Sequence, residues 1–153
     1  MLSAWSVLAG RELHGENILV IGAGMVGLET ADFLASKGKK VVVVEALDQI
    51  ALAVTPTLRA MLLARLEAEQ IRIITGVVLE HWGRDAALVR RKDGAELRLE
   101  AIDNVVIAVG SKPDRLSEGL HDKDIVWKRI GDSERPRDLL ACISEAAEVA
   151  MAL

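Results

Sequence analysis

The chain has 153 residues, enough for one domain with a buried core and too few for two domains of ordinary size. Apolar residues make up 51% of the chain and charged residues 27%, which is typical of a globular protein. The formal net charge of −4 gives no electrostatic reason to expect nucleic acid or an anionic membrane as a partner. A phosphate ligand would therefore have to be held locally, by backbone amides.

Processing and redox signals favour a cytoplasmic location. No apolar run approaches the roughly 20 residues of a membrane-spanning helix, and the first ten residues lack the basic start of a signal peptide. The single cysteine, Cys142, cannot form an internal disulfide. Because it falls in a predicted helix beside Leu139, Leu140 and Ile143, we expect a small buried side chain rather than a reactive thiol.

The first half of the chain alternates strands and helices. The β-branched run Asn17–Ile21 predicts a strand buried on both faces, and a glycine-rich turn and a helix to about Lys37 follow it. Gly38 is placed as a residue that ends a helix. A second strand is predicted over Val41–Val44 and a third over Ile71–Thr75. Between them, Thr55 as N-cap and Pro56 open a predicted helix. Its apolar positions are Leu58, Met61, Leu62 and Leu66.

The second half changes character. Val77–Leu99 predicts an antiparallel meander with a hairpin turn at Asp93-Gly94. Val105–Val109 predicts another buried strand, ended by Gly110, and a last helix is expected from about Arg137 to Ala150. Together the elements predict an α/β, Rossmann-like three-layer domain with a central parallel sheet and an antiparallel meander, over residues 1–115. Residues 116–153 form a separate C-terminal segment.

A GxGxxG motif occupies Gly22, Ala23, Gly24, Met25, Val26 and Gly27. It follows a predicted strand and opens a predicted helix, which is the context of a dinucleotide-binding turn. Gly22 would permit the tight turn, Gly24 would let the backbone approach a diphosphate, and Gly27 would let the helix pack closely on the strand. The helix N-terminus would offer amide groups and a partial positive charge to the phosphates.

Glu45 ends the second predicted strand, where this fingerprint expects an acid. Its carboxylate can accept hydrogen bonds from both hydroxyls of an adenosine ribose. A 2′-phosphate would meet its negative charge, and the following residues, 46–49, offer no arginine to hold one. The motif therefore favours NAD(H) over NADP(H), although the ADP half is shared with FAD and these residues do not separate the two.

The segment from Asn17 to Glu45, NILVIGAGMVGLETADFLASKGKKVVVVE, resembles the NAD(H)-binding domain of the FAD/NAD-linked flavoprotein reductases. AIDNVVIAVGSKPD, from Ala101, is similar to the segment that closes such domains. IGDSERPRDLLACISEA, from Ile130, resembles the C-terminal flavin segment of one branch. That branch contains the 2,4-dienoyl-CoA reductases, the enoate reductases and the trimethylamine dehydrogenase relatives, which are NADH:flavin oxidoreductases.

The resemblance implies roles for individual residues. The motif, Gly22 to Gly27, and Gly110 would line the NAD site, and Glu45 would bind the adenine ribose. Glu29, placed in the first turn of the helix, matches a glutamate near the nicotinamide end, although a helix-dipole role explains it equally well. Met25 would cover the nicotinamide pocket or simply pack, and Asp132 would touch flavin.

The resemblance also implies absent parts. Family members begin with an FMN- and iron–sulfur-bearing barrel and an FAD-binding half, so we expect a fragment or module that binds NAD(H) and positions nicotinamide for hydride transfer to flavin, without turnover alone. FAD would bind only with the missing domain or a partner. The alternatives are an FAD-binding domain and a non-catalytic nucleotide-binding partner subunit. The three histidines show no metal-ligand spacing, so no metal site is expected.

Overall fold

The computed structural model describes residues 1–52, 54–84, 86–113 and 127–152, and it divides into two compact units, Met1–Gly110 and Ser111–Leu153. The first unit contains eight strands and three helices within its described residues. The strands are β1 (Leu2–Ser3), β2 (Asn17–Ile21), β3 (Lys40–Val44), β4 (Arg72–Ile74), β5 (Val77–Trp82), β6 (Ala86–Arg91), β7 (Glu96–Glu100) and β8 (Asn104–Ile107). The helices are α1 (Ala4–Leu8), α2 (Met25–Ser36) and α3 (Pro56–Ala68).

The centre of the first unit is a parallel sheet with the strand order β1-β8-β2-β3-β4. The middle strand, β2, pairs with β3 from Asn17 opposite Lys40 to Ile21 opposite Val44. Its other edge pairs with β8, from Ile18 opposite Asn104. The predicted Rossmann-like architecture is confirmed.

Side chains alternate between two apolar cores, one on each face of this sheet. Ile18, Val20 and Val43 face a cluster that includes the buried residues of α2 and α3. Leu19 and Val44 point to the opposite cluster. All five are at most 1% exposed, which explains why these strands read as continuous apolar runs.

The second core is closed by the three-stranded antiparallel sheet β5-β6-β7. Its buried contributions to that core are Val77, Ala87, Val89 and Leu99. The predicted hairpin is present, since Gly94 has φ +88° and the Arg91 amide donates to the Ala95 carbonyl at 2.8 Å. The meander is thus the third layer of the domain.

Several predicted boundaries shift for identifiable reasons. β8 ends at Ile107 rather than Val109, because its neighbour β2 stops opposite Ile107. β4 begins after Ile71, whose amide donates to the Leu66 carbonyl at the end of α3. Thr55 does occupy the N-cap of α3, but its side chain makes no capping hydrogen bond.

One further difference concerns the residues before β2, whereas the end of α2 is as predicted. β1 and α1 are additional elements, and α1 is capped by the Ser3 hydroxyl, which accepts from the Ser6 amide at 3.1 Å. The predicted end of α2 is confirmed: Lys37 is the C-cap, and Gly38 follows with φ +79°.

The second unit contains a 3₁₀ turn, Gly131–Ser133, and helix α4, Leu139–Met151. Asp138 is the N-cap, so the helix begins two residues later than predicted. Its apolar residues Leu139, Leu140 and Ile143 are exposed. The prediction of a buried Cys142 among them is therefore wrong, because this side chain is only half-buried.

Candidate functional site

Three strand ends meet at one edge of the parallel sheet. β2, β3 and β8 are parallel neighbours, so Gly22, Glu45 and Gly110, which follow them, lie at the same carboxyl edge. The Gly22 amide still donates to the Val44 carbonyl at 2.8 Å, which holds the turn against β3. Ligands of open α/β sheets bind outside such carboxyl ends, at the point where the chain moves from one side of the first strand to the other.

Two motif glycines are required by the packing of the protein itself. Gly22 has φ +103°, and a Cβ atom there would lie 2.4 Å from the Ala108 carbonyl oxygen. A Cβ at Gly27 would lie 1.9 Å from the Gly22 carbonyl oxygen. The expected tight turn and the expected close packing of the helix on the turn are therefore both present.

Gly24 differs from the other two motif glycines. Its φ of −71° is open to any residue, and a Cβ atom there would meet nothing within 4 Å. Neither backbone strain nor internal packing requires a glycine at this position. What the glycine provides is open space in front of the backbone, which suits a ligand that approaches closely.

The N-terminus of α2 faces outward without a side-chain cap. Gly24 is the N-cap and has no side chain, and within the described residues none caps the helix in its place. The amides of the first turn, at Met25, Val26 and Gly27, have no acceptor inside the helix. Open space and uncapped amides suit an anion such as a diphosphate.

Glu45 is held in place by two backbone amides at the edge of the turn. Its Oε2 accepts from the Ala23 amide at 2.7 Å, and its Oε1 accepts from the Leu47 amide at 2.8 Å. Each carboxylate oxygen keeps a second lone pair, so the group can also accept bonds from ribose hydroxyls. Ala23 is buried, and its carbonyl accepts from the Ala51 amide at 2.9 Å. The acid therefore points toward the glycine turn.

The other predicted residues of this edge vary in exposure. Met25 is 38% exposed, whereas Val26 packs against the helix-side core. Gly110 has φ +98° and open space around it. The placement of Glu29 in the first turn is wrong: α2 begins at Met25, and no acid lies in its first turn. Since the dipole effect fades beyond that turn, the dipole explanation for Glu29 is weakened.

An ion pair that the sequence does not indicate lies in the turn after Glu45. Lys92 Nζ lies 2.7 Å from Asp48 Oδ2, and Asp48 is only three residues beyond Glu45. The two partners are separated by 44 positions in the sequence, so no local spacing could indicate the contact.

A second contact that the sequence does not indicate lies at the opposite end of β2, where the Asp103 carboxylate binds backbone amides. Asp103 Oδ2 accepts from the Glu16 and Asn17 amides, both at 2.8 Å. These backbone hydrogen bonds lower the pKa of the Asp103 carboxyl. The carboxylate fixes the start of β2 to the start of β8, which sets the register on which the glycine turn depends.

In the second unit, Asp132 belongs to a compact polar network. Its Oδ1 accepts from the Arg137 amide at 3.2 Å and from the Cys142 thiol at 3.5 Å. Glu145 accepts from the Gly131 amide at 2.7 Å and also pairs with the Arg137 guanidinium. Burial, together with the bond to Asp132, raises the pKa of the Cys142 thiol, as expected for an unreactive cysteine.

A family model described as pyridine nucleotide-disulphide oxidoreductase matches residues 6–131, most of the chain. The chain belongs to this family. Members of the pyridine nucleotide-disulphide oxidoreductase family bind FAD and NAD(P), and the match includes the glycine turn, Glu45 and the meander.

Two curated relatives match almost the whole chain. Bilirubin reductase of Mediterraneibacter gnavus is 33% identical over 147 residues, which is 95% of this chain and 23% of the relative. NADH oxidase of Thermoanaerobacter brockii is 37% identical over 155 residues, which is 98% of this chain and 24% of the relative. The chain thus spans about a quarter of the length of these relatives.

Solved structures share the fold over a similar extent. Histamine dehydrogenase from Rhizobium sp. 4-9 has a TM-score of 0.86 at 17% identity, covering 100% of this chain and 26% of that one. The 6-hydroxypseudooxynicotine amine oxidase of Pseudomonas geniculata has a TM-score of 0.85 at 24% identity, covering 96% of this chain and 23% of that one.

No helix in the described part of the chain has the length and apolar character needed to cross a bilayer.

Proposed function

We propose that this chain binds NAD(H), as the nucleotide-binding module of a larger flavin-dependent oxidoreductase. The observation that carries the proposal is the geometry at the carboxyl edge of the sheet. The Glu45 carboxylate is bonded to the Ala23 amide at 2.7 Å, next to the open space at Gly24 and the uncapped start of α2. Amide donors that can bind a phosphate therefore lie next to a carboxylate that can accept hydrogen bonds from a sugar.

In this proposal each group has a defined task. The amides that follow Gly24 receive the diphosphate, and Glu45 accepts hydrogen bonds from the adenine ribose. Met25 and Glu29 lie along α2 toward the nicotinamide end, and Gly110 borders the site from β8. The bound cofactor supplies the hydride that passes to flavin. The protein contributes position and electrostatics, and no acid or base of this chain is required for the transfer.

We further propose the branch of the family that contains the 2,4-dienoyl-CoA and enoate reductases and the trimethylamine dehydrogenase relatives. The alignments with bilirubin reductase and NADH oxidase run over 95% and 98% of the chain, so they include the C-terminal unit. That unit presents Asp132 at a 3₁₀ turn stabilised by Arg137 and Glu145. Asp132 would contact flavin carried by the rest of such an enzyme or by a partner.

The proposal is tested by titrating the purified chain with NADH in a calorimeter. We expect saturable binding, weakened about 10- to 100-fold in Glu45→Ala, because hydrogen bonds to a charged acceptor contribute about 1.5–3 kcal/mol each. Glu100→Ala makes the same substitution at an exposed position of the meander and should leave the NADH affinity unchanged. The same titration with FAD separates the two cofactors that share an ADP half.

Two results would contradict the proposal. One is the absence of NADH binding by the folded wild-type chain at millimolar concentration. The other is tight binding of FAD with an unmeasurable affinity for NADH, which would make this unit the FAD-binding domain of its parent enzyme.

A further inference from the structure

The turn that follows β3 is fixed to the meander as well as to the glycine turn. The Val77 amide donates to the Glu45 carbonyl at 2.9 Å, and the Gly76 amide donates to the Leu47 carbonyl at 3.1 Å. Asp48 continues this turn, and a Cβ atom at Gly76 would lie 3.1 Å from its Oδ1. The position of Asp48 is therefore set by the start of β5 and by Glu45 together.

A cation of the meander lies beside this turn. Lys92 is the first residue after β6, in the hairpin that leads to β7, and its Nζ lies 2.7 Å from Asp48 Oδ2. The two side chains are 59% and 74% exposed. Ion pairs this exposed are weak, so a phosphate group nearby could compete for the ammonium group.

The location gives the ion pair a chemical meaning. The ribose acid of a dinucleotide site decides between a free 2′-hydroxyl and a 2′-phosphate, and a 2′-phosphate needs a nearby cation. Lys92 brings a cation to the turn that carries Glu45, and Asp48, three residues beyond Glu45, neutralises it there. From this arrangement we infer that Asp48 is a specificity-determining residue, which disfavours 2′-phosphorylated nucleotides by engaging Lys92.

This inference rests on the proposed NAD(H) site and gives its selectivity a second source beyond Glu45. Removal of the Asp48 charge frees Lys92 and also removes a like charge from the approach of the phosphate. Both effects act on NADPH and leave the contacts of the unphosphorylated ribose in place. The ratio of the two affinities is therefore the informative quantity.

The test compares four proteins: wild type, Asp48→Asn, Lys92→Met and the double variant. The Kd of NADH is measured by calorimetry at low ionic strength, and that of NADPH by competition against NADH. We expect Asp48→Asn to tighten NADPH binding about twofold to fivefold, the size of an exposed charge contact, with NADH changed less than about twofold. Lys92→Met alone should bring no gain, and the double variant should lose the gain of Asp48→Asn.

The inference is overturned if Asp48→Asn leaves the ratio of the NADPH and NADH affinities unchanged. It is equally overturned if the double variant keeps the gain, because Asp48 would then act without Lys92. If the wild-type chain binds no NADH, the proposed function itself fails and the inference falls with it. Circular dichroism of each variant verifies that the fold is retained.

Discussion

Helices α2 and α4 have 12 and 13 residues and are stabilised in opposite ways. Six residues of α2 are buried, and its N-terminus has no side-chain cap. None of the residues of α4 is buried, yet its N-terminus is capped by Asp138, whose Oδ1 accepts from the Ala141 amide at 2.8 Å. Helix α2 is stabilised by burial of its side and has an uncapped N-terminus, whereas α4 has an exposed side and a capped N-terminus.

The contrast shows which part of each helix is left exposed. A helix of this length is marginal in water unless its side is buried or its ends are satisfied. Burial secures α2 without using its first amides, which leaves them available to a ligand. α4 has its first turn capped internally by Asp138, and its apolar residues Leu139, Leu140 and Ile143 are exposed.

The largest expected effect comes from a substitution that disturbs the packing of α2. In Gly27→Ala the added methyl group would meet the Gly22 carbonyl oxygen at 1.9 Å, so the helix must move from the turn. We expect a net loss of about 2 kcal/mol in the free energy of unfolding, since a clash of about 3 kcal/mol exceeds the roughly 1 kcal/mol that alanine gains in a helix. Urea denaturation measures it.

Gly24→Ala is the matched control within the same motif. Its methyl group meets no protein atom within 4 Å, so the free energy of unfolding should change by less than about 1 kcal/mol. NADH affinity should nevertheless fall, because the methyl group stands in the open space assigned to the diphosphate. Equal destabilisation by the two substitutions would contradict the open space at Gly24, and an unchanged NADH affinity would contradict its use by the diphosphate.

A smaller effect is expected at the cap of α4. Asp138→Ala should cost about 1 kcal/mol of local helix stability, seen as faster hydrogen exchange of the α4 amides, while the amides of β2 keep their protection. Asp138→Asn preserves a capping acceptor and should resemble the wild type. Unchanged exchange in Asp138→Ala would mean that the cap does not stabilise α4.

The smallest effect is expected from the ionisation of Glu145, which makes the stability of α4 depend on pH. The bond from Arg137, and then that from the Gly131 amide, lower the pKa of Glu145 from its ordinary value of 4.5. A group with a lowered folded-state pKa stabilises the fold above the unfolded pKa and loses that contribution as the pH falls through the folded value. Exchange protection of α4 should therefore decrease below about pH 4.5.

Glu145→Gln provides the comparison for this titration. The variant cannot ionise at position 145, so it should start with weaker protection and show a flatter pH profile over the same range. An identical acid dependence in both proteins would assign the titration to another carboxyl group.

The sequence predicts most of the first unit because local pattern and tertiary role agree there. The runs Asn17–Ile21 and Val41–Val44 are buried on both faces, and Gly22 and Gly27 have the geometric reasons that the motif assigns to them. The orientation of Glu45 toward the turn also follows from its position after β3.

The rest depends on contacts between distant residues. Asp103 holds β2 from 86 positions away, and Lys92 reaches Asp48 from 44. No window of sequence contains both partners of either contact. The burial of Cys142 is not predictable for a different reason: apolar neighbours in a helix do not tell whether that side of the helix is covered.

The bond between Glu45 and the Ala23 amide has a kinetic consequence. In the proposed site it joins the acid that would bind the ribose to the turn that would bind the diphosphate before any ligand arrives, so the two parts are already held together. Little conformational entropy remains to be lost on association, and no slow rearrangement should follow encounter. Stopped-flow mixing with NADH should then show a single exponential phase whose rate rises linearly with concentration.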